Sequence, residues 1–274
     1  MSENLKKTAY ELRSFALDLV YGAKTGHIGG DFSEAEIITA LYFSELNVDP
    51  KDPESPERDY FILSKGHSIE TLYAALSKKG FLDGEDVQAR YSRFGSPYIG
   101  HPNNKLPGIE MNSGSLGHGL PVSIGIAKAL QMDGKTNRVY VLMGDGELAE
   151  GSVWEGAMAA SHYKLDNLCA MVDRNRLQIS GSTEDVMHHD DLKARFEAFG
   201  WHAIVVEGNN IDSILAGFEE ARATKGCPTV LICETTKGCG VSFMENQAAW
   251  HHKVPSAEEY AKAKEELAAK AAAL

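Results

Sequence analysis

Four histidines follow a glycine directly: Gly26-His27, Gly66-His67, Gly100-His101 and Gly117-His118. With ten histidines, and 26 glycines among 274 residues, chance supplies about one such pair. All four pairs fall where helical or strand periodicity breaks. Glycine lets the main chain approach a ligand or take a strained turn. The imidazole after it can donate, accept or carry a proton near neutral pH. The set reads as the lining of one shared pocket. No HxH, HExxH or Cys-His spacing occurs, so zinc is not the expected chemistry.

A second constellation is Gly144-Asp145-Gly146 together with Asn175. Gly144-Asp145-Gly146 closes the apolar run RVYVLM, and Arg174-Asn175 closes LCAMVD, with one helical stretch between. Parallel strands joined by one crossover helix end at the same sheet edge. Asp145 and Asn175, each about two residues past a strand end, can therefore meet where open α/β sheets bind ligands. One carboxylate and one amide oxygen, with a backbone carbonyl, suit a hard divalent cation. So few ligands leave positions open for phosphate oxygens, and flanking glycines let a diphosphate reach the main chain.

The elements that must position these groups follow from periodicity. Helical spacing of apolar residues runs from Leu5 to Val20, and Ser33 with Glu36 reads as a capping box opening a second helix. YFIL (60–63) is a short buried strand, followed by helical patterns near 69–79 and 84–93. Residues 95–118 are dense in Gly, Pro, Ser and Asn, and loops of that length in compact domains are often functional. Strands are then expected at 138–143, 168–173, 201–207 and 229–234, separated by helices at 153–163, 190–199 and 212–224. Short apolar strands alternating with helices imply a mostly parallel sheet covered on both faces, an α/β three-layer sandwich. Residues 1–255 read as one domain, and 256–274 as a C-terminal amphipathic helix packed on its surface.

Composition narrows the function classes. The 27 basic and 39 acidic residues give a net charge of −12 without a Lys/Arg cluster, which argues against nucleic acid. No apolar run reaches the ~18 residues of a membrane span, and the polar start lacks a signal-peptide core. Cys169, Cys227, Cys233 and Cys239 form no CxxC, so a reducing cytoplasm is expected.

The run GDGELAEGSVWEGAMAASHYKLDNLCAMVDRNRLQISG resembles the thiamine-diphosphate motif of transketolases. Four other transketolase-like segments stand in the expected order: GHIGGDFSEAEI, ILSKGHSIETLYAAL, GHPNNKLPGIEMNSGSLGHGL and KGCGVSFMENQAAWHH. The resemblance spans about residues 8–255. It implies a cation (Mg2+, or Ca2+ or Mn2+) held by Asp145, Asn175 and the Leu177 carbonyl. His67, Gly144 and Gly146 would serve the diphosphate, and Gly114, Ser115 and Leu116 the thiazolium and aminopyrimidine. His27, His101 and His251 would face the sugar as catalytic residues, His251 touching the cofactor too. Glu150 resembles a carboxylate that links paired active sites, although a helix N-terminus alone would also favour it. Trp154 and Trp250 read as packing residues. His118 stands where relatives usually carry Gln, and His252 where Gly is usual.

By the same resemblance, the chain corresponds to the first of three transketolase domains. The cofactor-activating glutamate and most sugar-phosphate contacts belong to the other two. The expectation is therefore the N-terminal subunit of a split transketolase, active in an α2β2 assembly with a second chain carrying the pyrimidine-binding and C-terminal domains. The implied reaction moves a two-carbon ketol unit from a ketose phosphate to an aldose phosphate in the pentose phosphate pathway. The alternatives are a split enzyme for a sulfo-sugar or branched sugar, a 1-deoxyxylulose-5-phosphate synthase, and a non-catalytic subunit that kept the fold.

Overall fold

The computed structural model describes residues 2–189 and 191–274. Helix α1 (Ser2–Ala23) and helix α2 (Ile28–Ala40) come first, and α2 runs on as a wider π turn over Leu41–Glu45. Strand β1 (Tyr60–Leu63) precedes α3 (Ile69–Lys79) and α4 (Gly84–Arg90). After the long loop come α5 (Gly119–Met132), β2 (Val139–Gly144), α6 (Gly151–His162) and β3 (Leu168–Arg174). A small antiparallel ribbon, β4 (Leu177–Gln178) with β5 (Gly181–Ser182), leads into the single turn α7 (Thr183–Val186). The chain continues through α8 (Leu192–Ala198), β6 (His202–Glu207), α9 (Ile211–Ala223), β7 (Thr229–Glu234) and α10 (Ala257–Ala272).

Five strands form one sheet in the order β1-β2-β3-β7-β6, and every pairing is parallel. Alternate side chains point to opposite faces of a strand. Phe61, Leu63, Tyr140, Leu142 and Met171 accordingly join the core under α2, α3 and α9. Ile62, Val139, Val141, Met143 and Val172 join the core under α5, α6 and α8. The result is the expected three-layer α/β sandwich. A third apolar cluster joins α1 and α2 to Val241, Met244, Trp250 and α10. Helix α10 lies against α1, where Lys264 and the Tyr260 hydroxyl meet Asp18. No described helix is long and apolar enough to cross a membrane.

Two local expectations are corrected. Helix α2 begins at Ile28 with His27 as N-cap, not at Ser33. Ser33 lies inside the helix and donates to the Gly30 carbonyl and to Asp173, while Glu36 pairs with buried Arg13. The Ser33/Glu36 spacing thus serves tertiary bonds rather than a cap. Helix α5 emerges directly from the Gly-rich loop that the periodicity leaves irregular. The helix expected over 190–199 starts at Leu192, and Asp190 lies outside the described residues.

Candidate active site

Gly144 of β2 pairs with Asp173 of β3, and Arg174 with Glu234 of β7, so three strands end level. Asp145 and Asn175 leave that edge side by side and line one cleft of about 260 Å³. The Asp145 carboxylate accepts the N–H groups of Gly146 at 2.8 Å and Arg176 at 2.5 Å. Asn175 Oδ1 accepts the Leu177 N–H at 3.1 Å, and Asn175 Nδ2 donates to Asp173 at 3.2 Å. Burial, and then the Asp173 charge, push the Asp145 carboxyl up to about 6. A cation beside it would offset both effects.

The histidines converge as well, with one exception. The His27 ring is 5.2 Å from His67, 6.4 Å from His101, 5.6 Å from His251 and 4.6 Å from His252, centroid to centroid. His67 and His251 are 5.2 Å apart. Three of the four Gly-His pairs therefore share a site, joined by the 251–252 pair. His118 is exposed at the N-cap of α5, its Nδ1 3.1 Å from the Leu116 carbonyl. Burial lowers His27 to about 4, with His252 and His101 adding to the effect, and lowers His251 to about 3, with Lys237 adding. His67 and His101 are also lowered, chiefly by burial. All four shifts favour the neutral imidazole.

Glycine is required at two of these turns. Gly26 has φ +145°, and a Cβ there would stand 2.2 Å from Glu70 Oε1. Gly114 has φ +148°, and its Cβ would stand 2.9 Å from the His101 ring. Gly114, Leu116, Gly144 and Gly146 line the cleft as expected, while Ser115 beside them is exposed. Glu150 is exposed at the N-cap of α6, outside the cleft lining. The carboxylate that does line it, besides Asp145, is Glu147, which accepts from Gly117 N, Gly144 N and Ser64 Oγ. Trp154 and Trp250 are packing residues: their indoles donate to the Leu148 and Phe243 carbonyls.

Two lysines complete the cleft, and no spacing rule singles them out. Lys65 and Lys237 are each 2% exposed. Lys65 is paired with Asp173 at 2.5 Å and Glu34 at 3.0 Å. Among the described residues Lys237 has no carboxylate partner; its Nζ donates to the Leu177 carbonyl at 3.2 Å and lies 3.2 Å from His251 Nδ1. Burial, and then Lys65, lower it to about 8. A buried ammonium without a counter-ion favours an anion in the cleft. Among the described residues no three His, Cys, Asp or Glu side chains cluster as a metal site. A cation here would rest on Asp145, the Asn175 amide oxygen, the Leu177 carbonyl and the anion itself. Those oxygens, a buried ammonium without a carboxylate partner and a glycine-rich wall fit a metal diphosphate.

A cleft of this chemistry at the carboxyl edge of a parallel sheet defines a diphosphate-cofactor protein of the α/β class. The family profile described as transketolase, thiamine diphosphate binding domain, matches residues 5–273, and the chain belongs to that family. It is 48% identical over 265 residues to one subunit of the apulose-4-phosphate transketolase of Phocaeicola vulgatus, covering 97% of this chain and 94% of that one. It is 39% identical over 250 residues to the 6-deoxy-6-sulfo-D-fructose transketolase subunit SqwG of a Clostridium species, covering 91% and 90%. The transketolase structure from Campylobacter jejuni superposes with a TM-score of 0.91 at 30% identity, over 96% of this chain and 42% of that one. The chain thus spans about two fifths of the length of the solved transketolase chains it matches.

Proposed function

We propose that this chain is the diphosphate-binding subunit of a two-chain transketolase. It would work with a second subunit that supplies the pyrimidine-binding and C-terminal domains, in an α2β2 assembly in the cytoplasm. The observation that carries the reading is Lys237, a buried ammonium without a carboxylate partner among the described residues, lining the same cleft as Asp145 and Asn175. Asp145, Asn175 and the Leu177 carbonyl would hold the Mg2+, and Lys65, Lys237 and His67 the diphosphate. Gly114 and Leu116 would lie against the rings of the cofactor.

The carbanion-stabilising chemistry comes from the bound thiamine diphosphate. The chain's own residues handle the sugar. A ketose donor loses a hydroxyl proton as its C2–C3 bond breaks. His27, His101 and His251 stand together at the cleft, where a neutral imidazole can hydrogen-bond that hydroxyl, take its proton as the bond breaks and hydrogen-bond the developing alkoxide. Glu150, exposed beside the α6 N-terminus, is available to a neighbouring subunit.

The substrate is a ketose phosphate that gives a two-carbon unit to an aldose phosphate, as in the pentose phosphate pathway. A second reading takes apulose 4-phosphate as the sugar, favoured by the 48% identity to the relative named for it. Co-purification with the partner subunit, followed by ketol-transfer assays on pentulose, branched and sulfo-sugar substrates, decides between them. No transfer from any donor would overturn the transketolase reading.

A further inference from the structure

His252 is the imidazole closest to His27, yet it stands apart from the cleft lining. Its ring is 4.6 Å from the His27 ring, edge to face, and the residue is exposed. His251, one residue earlier, faces the cleft, because the short 3-10 turn Ala248–His251 ends between them. The turn is firmly seated. Trp250 is 4% exposed, and its carbonyl oxygen lies 2.7 Å from where a Cβ on Gly29 would stand. On the other side Lys253 lies over the Trp250 ring and pairs with Glu259 of α10. His252 is therefore held against the outer flank of His27, with His67 and His251 on the cleft side.

We infer that His252 is a specificity-determining residue that hydrogen-bonds the donor sugar beyond the bond being broken. The inference rests on the ketol-transfer reading. If His27 meets the hydroxyl that loses its proton, the rest of the sugar leaves the cleft past His252. An imidazole there offers one donor and one acceptor to the next hydroxyl. Glycine in its place would leave that hydroxyl to water.

Donor length tests this. Hydroxypyruvate can give a two-carbon unit but carries only a carboxylate beyond the cleaved bond, released as carbon dioxide. A ketose phosphate carries further hydroxyls. In the assembled two-subunit enzyme with thiamine diphosphate and Mg2+, His252→Gly is expected to lower kcat/KM for a ketose phosphate about tenfold, mainly through KM. The same variant is expected to leave kcat/KM for hydroxypyruvate, cofactor affinity and the far-UV circular dichroism at wild-type values. His252→Asn, which keeps a donor and an acceptor, is expected to recover part of the loss. Equal losses on both donors would show that His252 only supports His27, and no loss on either would show that it does not touch the sugar; each overturns the assignment. A wild-type enzyme inactive on both donors would instead overturn the ketol-transfer reading, and the assignment with it.

Discussion

Asp145 and Asn175 look alike as oxygen donors, but the energetics separate them. Asp145 is the one anionic side chain of the expected cation set, and burial already pushes its carboxyl up to about 6. Replacing it with Ala removes the charge that draws a hard cation into the cleft. Asp145→Ala is expected to abolish metal-dependent retention of thiamine diphosphate, whereas Asn175→Ala, losing a neutral amide, should weaken it less. Calorimetric titration of the assembled enzyme measures both; unchanged binding in Asp145→Ala would mean the cation sits elsewhere. The histidines divide in the same way. His67 lines the cleft close to the lysines, and Lys65 helps to hold its pKa down. His67→Ala should chiefly weaken cofactor binding. His27→Ala and His101→Ala should leave binding near normal but cut turnover, typically by about 10²–10⁴ for a lost acid–base group. Wild-type turnover in both variants at saturating cofactor would remove the sugar-facing role.

Above single residues, buried acids tie the histidine turns to the helices. Glu70, on α3, accepts the Tyr91 hydroxyl at 2.6 Å and abuts Gly26. Tyr73, also on α3, donates to the Ile99 carbonyl at 2.9 Å. One helix thus braces the turns that carry His27 and His101. Burial, above all, raises the pKa of both Glu70 and neighbouring Asp31, each of which also feels the other. A Gln at position 70 keeps an oxygen that can accept the Tyr91 hydroxyl, whereas Leu cannot accept it. Glu70→Leu is therefore expected to cost about 1–3 kcal/mol in denaturant unfolding and to depress turnover, while Glu70→Gln stays near wild type. Equal stability of the two variants would refute the brace. Glu34, on α2, gives the pH-dependent counterpart. Although burial alone would raise both carboxyls, Lys65 holds Asp173 below its usual value while Glu34 is pushed up to about 8. A raised carboxyl stabilises the fold fully below pH about 4.5 and loses that contribution as pH rises through about 8. Glu34→Gln should match wild type near pH 4.5 and become progressively more stable toward pH 8. A difference independent of pH in chemical denaturation would contradict this. Such networks explain what the sequence leaves hidden. The strands, α3, α9 and the meeting of Asp145 with Asn175 are legible because apolar periodicity and crossover topology dictate them. Lys65 and Lys237 are not, because a lysine in a polar loop reads as solvated until tertiary packing buries it. Ser33 misleads for a related reason: its partner Asp173 lies 140 residues away, on another element.

At the scale of the whole molecule, the described cleft would supply one end of the proposed cofactor site. Asp145, Lys65 and Lys237 gather charge at the inner end, and the imidazoles line the way out. Ile179, at the cleft edge, is 72% exposed, and Phe94 and Ile99, in the loop before His101, are also exposed. Large exposed apolar side chains near a site mark a surface that another chain can cover. The proposed partner would close this side and bring the carboxylate that activates the pyrimidine ring. The 274-residue chain by itself is therefore expected to show no ketol transfer, even with saturating thiamine diphosphate and Mg2+, and to gain it on addition of the partner. The measurement is turnover at increasing partner concentration, from preparations shown free of host transketolase. Activity should rise to a plateau set by the limiting subunit. Ile179→Asp should shift that titration to higher partner concentrations without changing the plateau, because it charges the rim and leaves the inner residues intact. Turnover by the isolated chain would rule out the two-subunit reading.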